Sequence, residues 1–235
     1  MPDTTTPVPR PGLAVLWDLD GVLADTEALL LEAERAAFAV YGADVTPEFK
    51  RSFVGRGGTE VLAAMAESLG VEADLDDLAR RKLEGYARRL PFLEGFPQTH
   101  AMARLLASAG VPQAVASGSP AEAIRAVLHL LGLADVLTTV VSADEVDAGK
   151  PAPDVFLEAA RRLGVAPAAC VVVEDAVPGV LAAAAAGMRC VAIPSAVGAL
   201  DPRFDRADVV VRGGMPAVDP AALVRWALDG TPVRR

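Results

Sequence analysis

Cysteine is scarce: Cys170 and Cys190 are the only two, they show no C-x-x-C spacing, and both lie in apolar strand-like runs. A disulfide framework or zinc knuckle is thereby excluded, and buried free thiols are expected. Histidine is as rare. His100 and His129 stand apart from every polar cluster, so they read as surface or packing residues and a histidine-dependent triad loses support. Neither G-x-x-x-x-G-K-[ST] nor G-x-G-x-x-G occurs, which removes the common nucleotide-cradling loops. Positive charge is in deficit. The net charge of −9 disfavours nonspecific nucleic-acid or anionic-membrane binding, so neither partner is expected. No apolar run approaches the ~20 residues of a membrane span. The opening, Met1 to Gly12, is polar and proline-rich rather than signal-like, and a soluble cytoplasmic protein is the expectation.

What is present is ordinary globular material: 52% apolar and 23% charged residues, low in aromatics and rich in alanine, over 235 positions. Such a chain buries a full core without staples. Its pattern changes character once. Leu13 to Trp17 reads as a buried strand, and then helical spacing dominates over 25–41, 59–69 and 74–90 with no convincing strand between them. From Phe96 onward, helices at 97–109, 120–131, 153–163 and 177–186 alternate with strands at 111–116, 138–142, 170–174 and 189–193. Regular alternation of this kind predicts a parallel, doubly wound sheet. The expected fold is therefore α/β, with a Rossmann-like core into which an α-helical cap is inserted after the first strand. Residues 12–26 and 93–215, extending to about 229, form the core; 27–92 form the cap; 1–11 are a flexible tail.

The first strand runs straight into Asp18-Leu19-Asp20-Gly21-Val22, two carboxylates one residue apart at a glycine turn. Ligands in open α/β sheets gather beyond the carboxyl ends of the strands, and acids there repel one another unless a cation joins them. Three more polar clusters follow strand ends. Val115-Ala116 leads into Ser117-Gly118-Ser119, which offers hydroxyls and backbone N–H groups just before a helix, a natural anion cradle. Gly149-Lys150-Pro151 sets a positive charge on a proline-stiffened loop. Val171-Val172-Val173 delivers Glu174-Asp175, acids that are costly to bury without a cation, which makes Asp175 a candidate metal ligand.

Taken in order, these four clusters resemble the motifs of the haloacid dehalogenase superfamily of aspartyl-phosphate phosphotransferases. Their spacing is similar to that of the helical-cap subgroup that includes phosphoglycolate phosphatase and β-phosphoglucomutase. The resemblance covers nearly everything from 12 to 215. It implies that Asp18 attacks phosphorus and that Asp20 protonates the leaving oxygen and then activates water. It implies that Ser117 and Lys150 bind the phosphoryl oxygens, and that Mg2+ is held by Asp18, the Asp20 carbonyl and Asp175, with Glu174 acting through a water. The expected reaction is Mg2+-dependent hydrolysis of a small phosphomonoester. A small phosphorylated metabolite is the expected partner, and the protein a monomer or homodimer.

Departures from the pattern narrow the reaction. The dehalogenases lack the second acid and phosphonoacetaldehyde hydrolases carry alanine there, so Asp20 favours an oxygen leaving group. Mutases of the β-phosphoglucomutase type carry a cap histidine and an arginine where this chain has Leu30 and Gly58, and only Lys82 matches their remaining cap position. A mutase is thus the alternative, beside a non-catalytic metabolite-binding relative. Arg56 and Lys82 are the cap residues expected to meet an anionic substrate group, Gly118 and Ser119 line the cradle, and Glu27 either polarises the leaving group or stabilises its helix end.

Overall fold

The structure, a computed structural model, describes residues 12–51, 53, 58–195 and 201–233. The tail expected over 1–11 lies outside them. Internal contacts divide the chain into two units, one running to Ala24 and resuming at Gly95, the other Asp25–Glu94.

The larger unit is built on a parallel sheet. Its strands are β1 (Ala14–Trp17), β2 (Gln113–Ser117), β3 (Thr139–Ser142), β4 (Cys170–Glu174), β5 (Arg189–Ala192) and β6 (Val209–Val210), in the spatial order β3-β2-β1-β4-β5-β6. The chain crosses from one side of β1 to the other, which is the topological switch that opens a crevice at the strand ends. All four residues of β1 are buried, as a strand covered on both faces requires. On one face Ala14 and Leu16 join the core formed with Val155, Phe156 and Ala159 and with Val180 and Ala183. These last residues lie on two helices, Asp154–Leu163 and Val177–Ala185. On the other face the Trp17 indole N–H donates to Gln113 Oε1 at 2.9 Å, and Gln113 Nε2 donates to the Ala103 carbonyl at 3.0 Å. One buried amide thus ties two strands to the helix Pro97–Ser108.

Register then fixes where the chemistry falls. Trp17 pairs with Val115 and Val173, and Ser117 pairs with Ser142, so β1 to β4 end along a common rim. Residues that follow those ends in sequence meet in space.

Strand and helix ends differ from the sequence expectation by one or two residues. The second strand begins at Gln113 instead of 111, because Pro112 has no N–H to give the ladder and supplies only its carbonyl, to Val15 N at 3.0 Å. Besides short 3-10 turns, two helices and a strand among the described residues were outside the expectation. The helix Pro47–Arg51 is a single turn, β6 is two residues long, and the helix Pro220–Asp229 follows Asp219, whose side chain accepts from Ala222 N.

Numbered in chain order, the helices of the smaller unit are α1 (Thr26–Ala39), α2 (Pro47–Arg51), α3 (Gly58–Leu69) and α4 (Leu75–Arg89). Phe38, Val45, Phe53, Leu62, Met65 and Leu78 form its core. Helix α4 starts cleanly because Asp74 accepts from the N–H groups of Asp76 and Asp77. Gly85 lets it approach α1 closely: a Cβ there would lie 3.3 Å from Ala33.

Replacing Gln113 with Leu removes the partner of a buried indole N–H and of a buried carbonyl. A loss of about 1–3 kcal/mol is expected, read as a lower urea midpoint at unchanged m-value. An unmoved midpoint would mean that this amide does not hold the sheet to its helix.

Candidate active site

At the rim beyond β1, Asp18 is 7% exposed, and its backbone N–H continues the ladder by donating to the Val173 carbonyl at 3.0 Å. Lys150 reaches over from the loop after β3. Its Nζ lies 2.5 Å from Asp18 Oδ1 and 2.7 Å from Glu174 Oε1, joining acids carried by β1 and β4. The other Glu174 oxygen accepts from the N–H groups of Asp175 and Ala176, each at 3.0 Å. Burial pulls the Lys150 ammonium down, but Asp18 and Glu174 outweigh it and hold the pKa above the ordinary value. For Asp18, burial acts in the other direction. Burial, aided by the Glu174 and Asp20 carboxylates, lifts it to about 7 against the pull of Lys150.

Asp18, Glu174 and Asp175 each present a carboxylate oxygen within 4.8 Å of the other two. Asp20 turns to a different set of partners. Its Oδ2 accepts from Ser117 Oγ at 3.3 Å and from Ser119 Oγ at 3.1 Å, while Ser119 N–H donates to Ser117 Oγ at 3.1 Å.

The turn that carries both aspartates is locked from behind. Gly21 adopts φ +78°, and a Cβ on it would come 2.1 Å from Asp175 Oδ2, so glycine is needed both for the backbone and for the neighbour. Thr99 Oγ1 donates to the Val22 carbonyl at 2.6 Å, and His100 Nε2–H donates to the Leu23 carbonyl at 2.8 Å. Burial lowers the His100 pKa, which favours the neutral ring that this bond uses. His100 is therefore the packing histidine that the sequence suggested.

Comparison with known proteins fits this geometry. The model of the haloacid dehalogenase-like hydrolases matches residues 13–187. The chain belongs to that family. Hexitol phosphatase B of Escherichia coli is 31% identical over 221 residues, covering 86% of this chain and 92% of that protein. The bifunctional riboflavin kinase/FMN phosphatase of Arabidopsis thaliana is 34% identical over 182 residues, 77% of this chain, and the chain spans only 48% of its length. Among solved structures, CbbY from Rhodobacter sphaeroides in complex with phosphate superposes with a TM-score of 0.73 at 27% identity, covering 88% of this chain and 98% of that one.

Against this dehalogenase-like frame the expected residues separate into two groups. Asp18, Asp20, Ser117, Ser119, Lys150, Glu174 and Asp175 are brought together at one rim. Glu27 and Lys82 belong to the other unit and are described within it. Arg56 lies outside the described residues, and Glu27 sits exposed in the first turn of α1. Lys82 Nζ is 2.9 Å from Glu34 Oε1, near enough for an ion pair though not angled as a hydrogen bond, and Lys50 takes Glu34 Oε2 at 2.5 Å. Glu34 is fully buried and went unremarked in the sequence, where it reads as one more acid on a charged helix. Gly118 is exposed with open space about its α-carbon. Ser119, expected to line an anion cradle, spends its hydroxyl on Asp20 and its N–H on Ser117. No helix among the described residues is long and apolar enough to cross a membrane.

Glycine at 179 faces Glu174 so closely that a Cβ would fall 1.7 Å from Oε1. In an ordinary helix Gly→Ala stabilises by roughly 0.5–1 kcal/mol; here Gly179→Ala has to push Glu174 off Lys150. Activity or metal affinity should drop about 10–100-fold. Wild-type turnover in that variant would show that the Lys150–Glu174 contact is dispensable.

Proposed function

We propose that the protein is a cytoplasmic, Mg2+-dependent phosphatase that hydrolyses a small phosphomonoester, a sugar phosphate or similar metabolite, through an aspartyl-phosphate. The observation that carries this reading is the buried Lys150 ammonium joining Asp18 to Glu174 beside Asp175. A nucleophilic carboxylate, a fixed cation and a group of hard oxygen donors together suit phosphoryl transfer. The similarity to hexitol phosphatase B supports a phosphorylated polyol or sugar as substrate.

The donor set suits a hard divalent cation: only oxygen atoms, closely spaced, with Asp18 pushed up by burial and by its acidic neighbours. Asp18, Asp175 and the Asp20 carbonyl would hold Mg2+, with Glu174 behind them, and the ion when bound would offset charge on the phosphoryl oxygens. Asp18 attacks phosphorus in line with the leaving oxygen. The P–O bond to the alcohol breaks as the Asp18–phosphorus bond forms, and Asp20 gives its proton to the departing alkoxide. Asp20 then takes a proton from water, whose oxygen attacks the acyl phosphate, releasing phosphate and restoring both acids. Ser117 and Lys150 bind the phosphoryl oxygens, and Lys150 lessens repulsion between Asp18 and the incoming dianion.

The mutase alternative has less support, because Leu30 and Gly58 stand where its histidine and arginine are expected. Phosphate release from a panel of phosphorylated metabolites separates the readings. Free phosphate that depends on Mg2+ and vanishes with EDTA supports the phosphatase, whereas an isomeric phosphate formed only with a bisphosphate primer supports the mutase. Metabolite binding without turnover would leave a non-catalytic relative. Asp18→Asn should abolish turnover, and Asp20→Asn should lower it by about 10²–10⁴; unaltered rates in both would refute these roles.

Acidity supplies a second test. At limiting Mg2+, kcat/KM should fall as the pH drops through about 7, because Asp18 takes up its proton there. Saturating Mg2+ should move that limb to lower pH, since metal and proton compete for one carboxylate. A limb indifferent to Mg2+ would take Asp18 out of the metal site.

A further inference from the structure

The contacts of Asp20 form a layer that runs across three neighbouring strands. Asp20 follows β1; Ser117 ends β2 and Ser119 stands two residues beyond it; Ser142 ends β3, paired in register with Ser117. Ser142 is fully buried, and its Oγ donates to the Ser119 carbonyl at 2.8 Å. It is itself held twice. Its Oγ accepts from Asp144 N at 3.1 Å, and its own N–H donates to Glu145 Oε2 at 2.9 Å, the reciprocal box that opens a short helical turn.

Two hydroxyls in the layer, those of Ser117 and Ser142, have their direction set by a backbone group. A Ser Oγ that accepts an N–H turns its own proton away from that donor. Ser117 Oγ accepts from Ser119 N–H and so points its proton to Asp20 Oδ2; Ser142 Oγ accepts from Asp144 N–H and so points its proton to the Ser119 carbonyl. Ser119 is the link between them. Its carbonyl is pinned by β3, its N–H is given to Ser117, and its Oγ donates to the same Asp20 oxygen at 3.1 Å.

We propose that Ser119, braced by Ser142, is a positioning residue that fixes the orientation of the Asp20 carboxyl through Oδ2. This goes beyond the reading of Asp20 as the acid that protonates the leaving group, and it rests on that reading. It also revises the expected part of Ser119, from a contact for substrate to a contact for Asp20. A carboxyl with free rotation about its last bond populates the productive angle only part of the time, whereas two hydroxyls on one oxygen hold it there before substrate arrives.

Aryl phosphates of similar shape and different leaving-group acidity read this directly. p-Nitrophenyl phosphate needs little help from an acid and phenyl phosphate needs much, and kcat/KM reports the step in which the ester bond breaks. Ser119→Ala should lose about tenfold more kcat/KM on phenyl phosphate than on p-nitrophenyl phosphate, a part of the 10²–10⁴ expected of the acid itself. Ser119→Thr, which keeps the hydroxyl, should stay near wild type on both esters. Ser142→Ala should lean the same way by less. The wild type and Asp20→Asn are measured beside them, with melting temperatures to establish that each variant folds.

Equal losses on the two esters in Ser119→Ala, or none, would overturn the proposal while a leaving-group bias in Asp20→Asn left the acid assignment standing. Absence of that bias in Asp20→Asn would fell the acid assignment and the role of Ser119 with it. A Thr variant as impaired as the Ala variant would also count against it, since packing and not the hydroxyl would then be what matters.

Discussion

A single buried ammonium organises the rim of this sheet. Lys150 lies between Asp18 and Glu174, which arrive on adjacent strands, and offsets their mutual repulsion at short range in a medium that screens poorly. Removing Lys150 would leave uncompensated buried charge, at a cost of about 3–5 kcal/mol, although the intact set adds little to stability compared with an apolar replacement. The arrangement is better understood as a functional commitment than as a stabilising one. It keeps the Asp18 carboxylate, a cation and further acids within reach of one another before any ligand binds.

The surrounding fold serves that arrangement by rigid means. Gly21 and Gly179 are empty where side chains would collide with Asp175 and Glu174, so two absent methyl groups define the positions of two carboxylates. Thr99 and His100, at the start of the helix Pro97–Ser108, take the carbonyls of Val22 and Leu23 and so hold the residues that follow Asp20 and Gly21. The aspartates thus sit on a turn whose backbone has little freedom, which is what a site needing sub-ångström placement requires.

Much of this was legible in the sequence because strand ends announce themselves. A buried apolar run followed by acids, serines or a lysine is energetically odd, and four such oddities in order give both the sheet and the rim. What stayed hidden depended on direction and on distance in space. Ser119 is held from both sides, by Ser117 next to it and by Ser142, more than twenty positions further on and on another strand, and only the first contact is local in sequence. Glu34 looks like surface charge because its lysine partners come from α2 and α4. The two-residue strand β6 is too short to carry a period, and the start of β2 shifted because one proline cannot donate.

The strand order has a consequence for how the protein comes to exist. β1 is the first strand made, yet it lies at the centre, between β2 and β4. On the ribosome, at about 5–20 residues per second, β4 follows β1 only after roughly 8–30 s. For that interval a fully apolar segment has one edge without its neighbour, and Asp18 is still apart from Glu174 and Asp175, the acids it meets at the rim. A chain that stops short of Cys170–Glu174 lacks both a neighbour of β1 and two acids of the rim, so the sheet and the site are completed together and late.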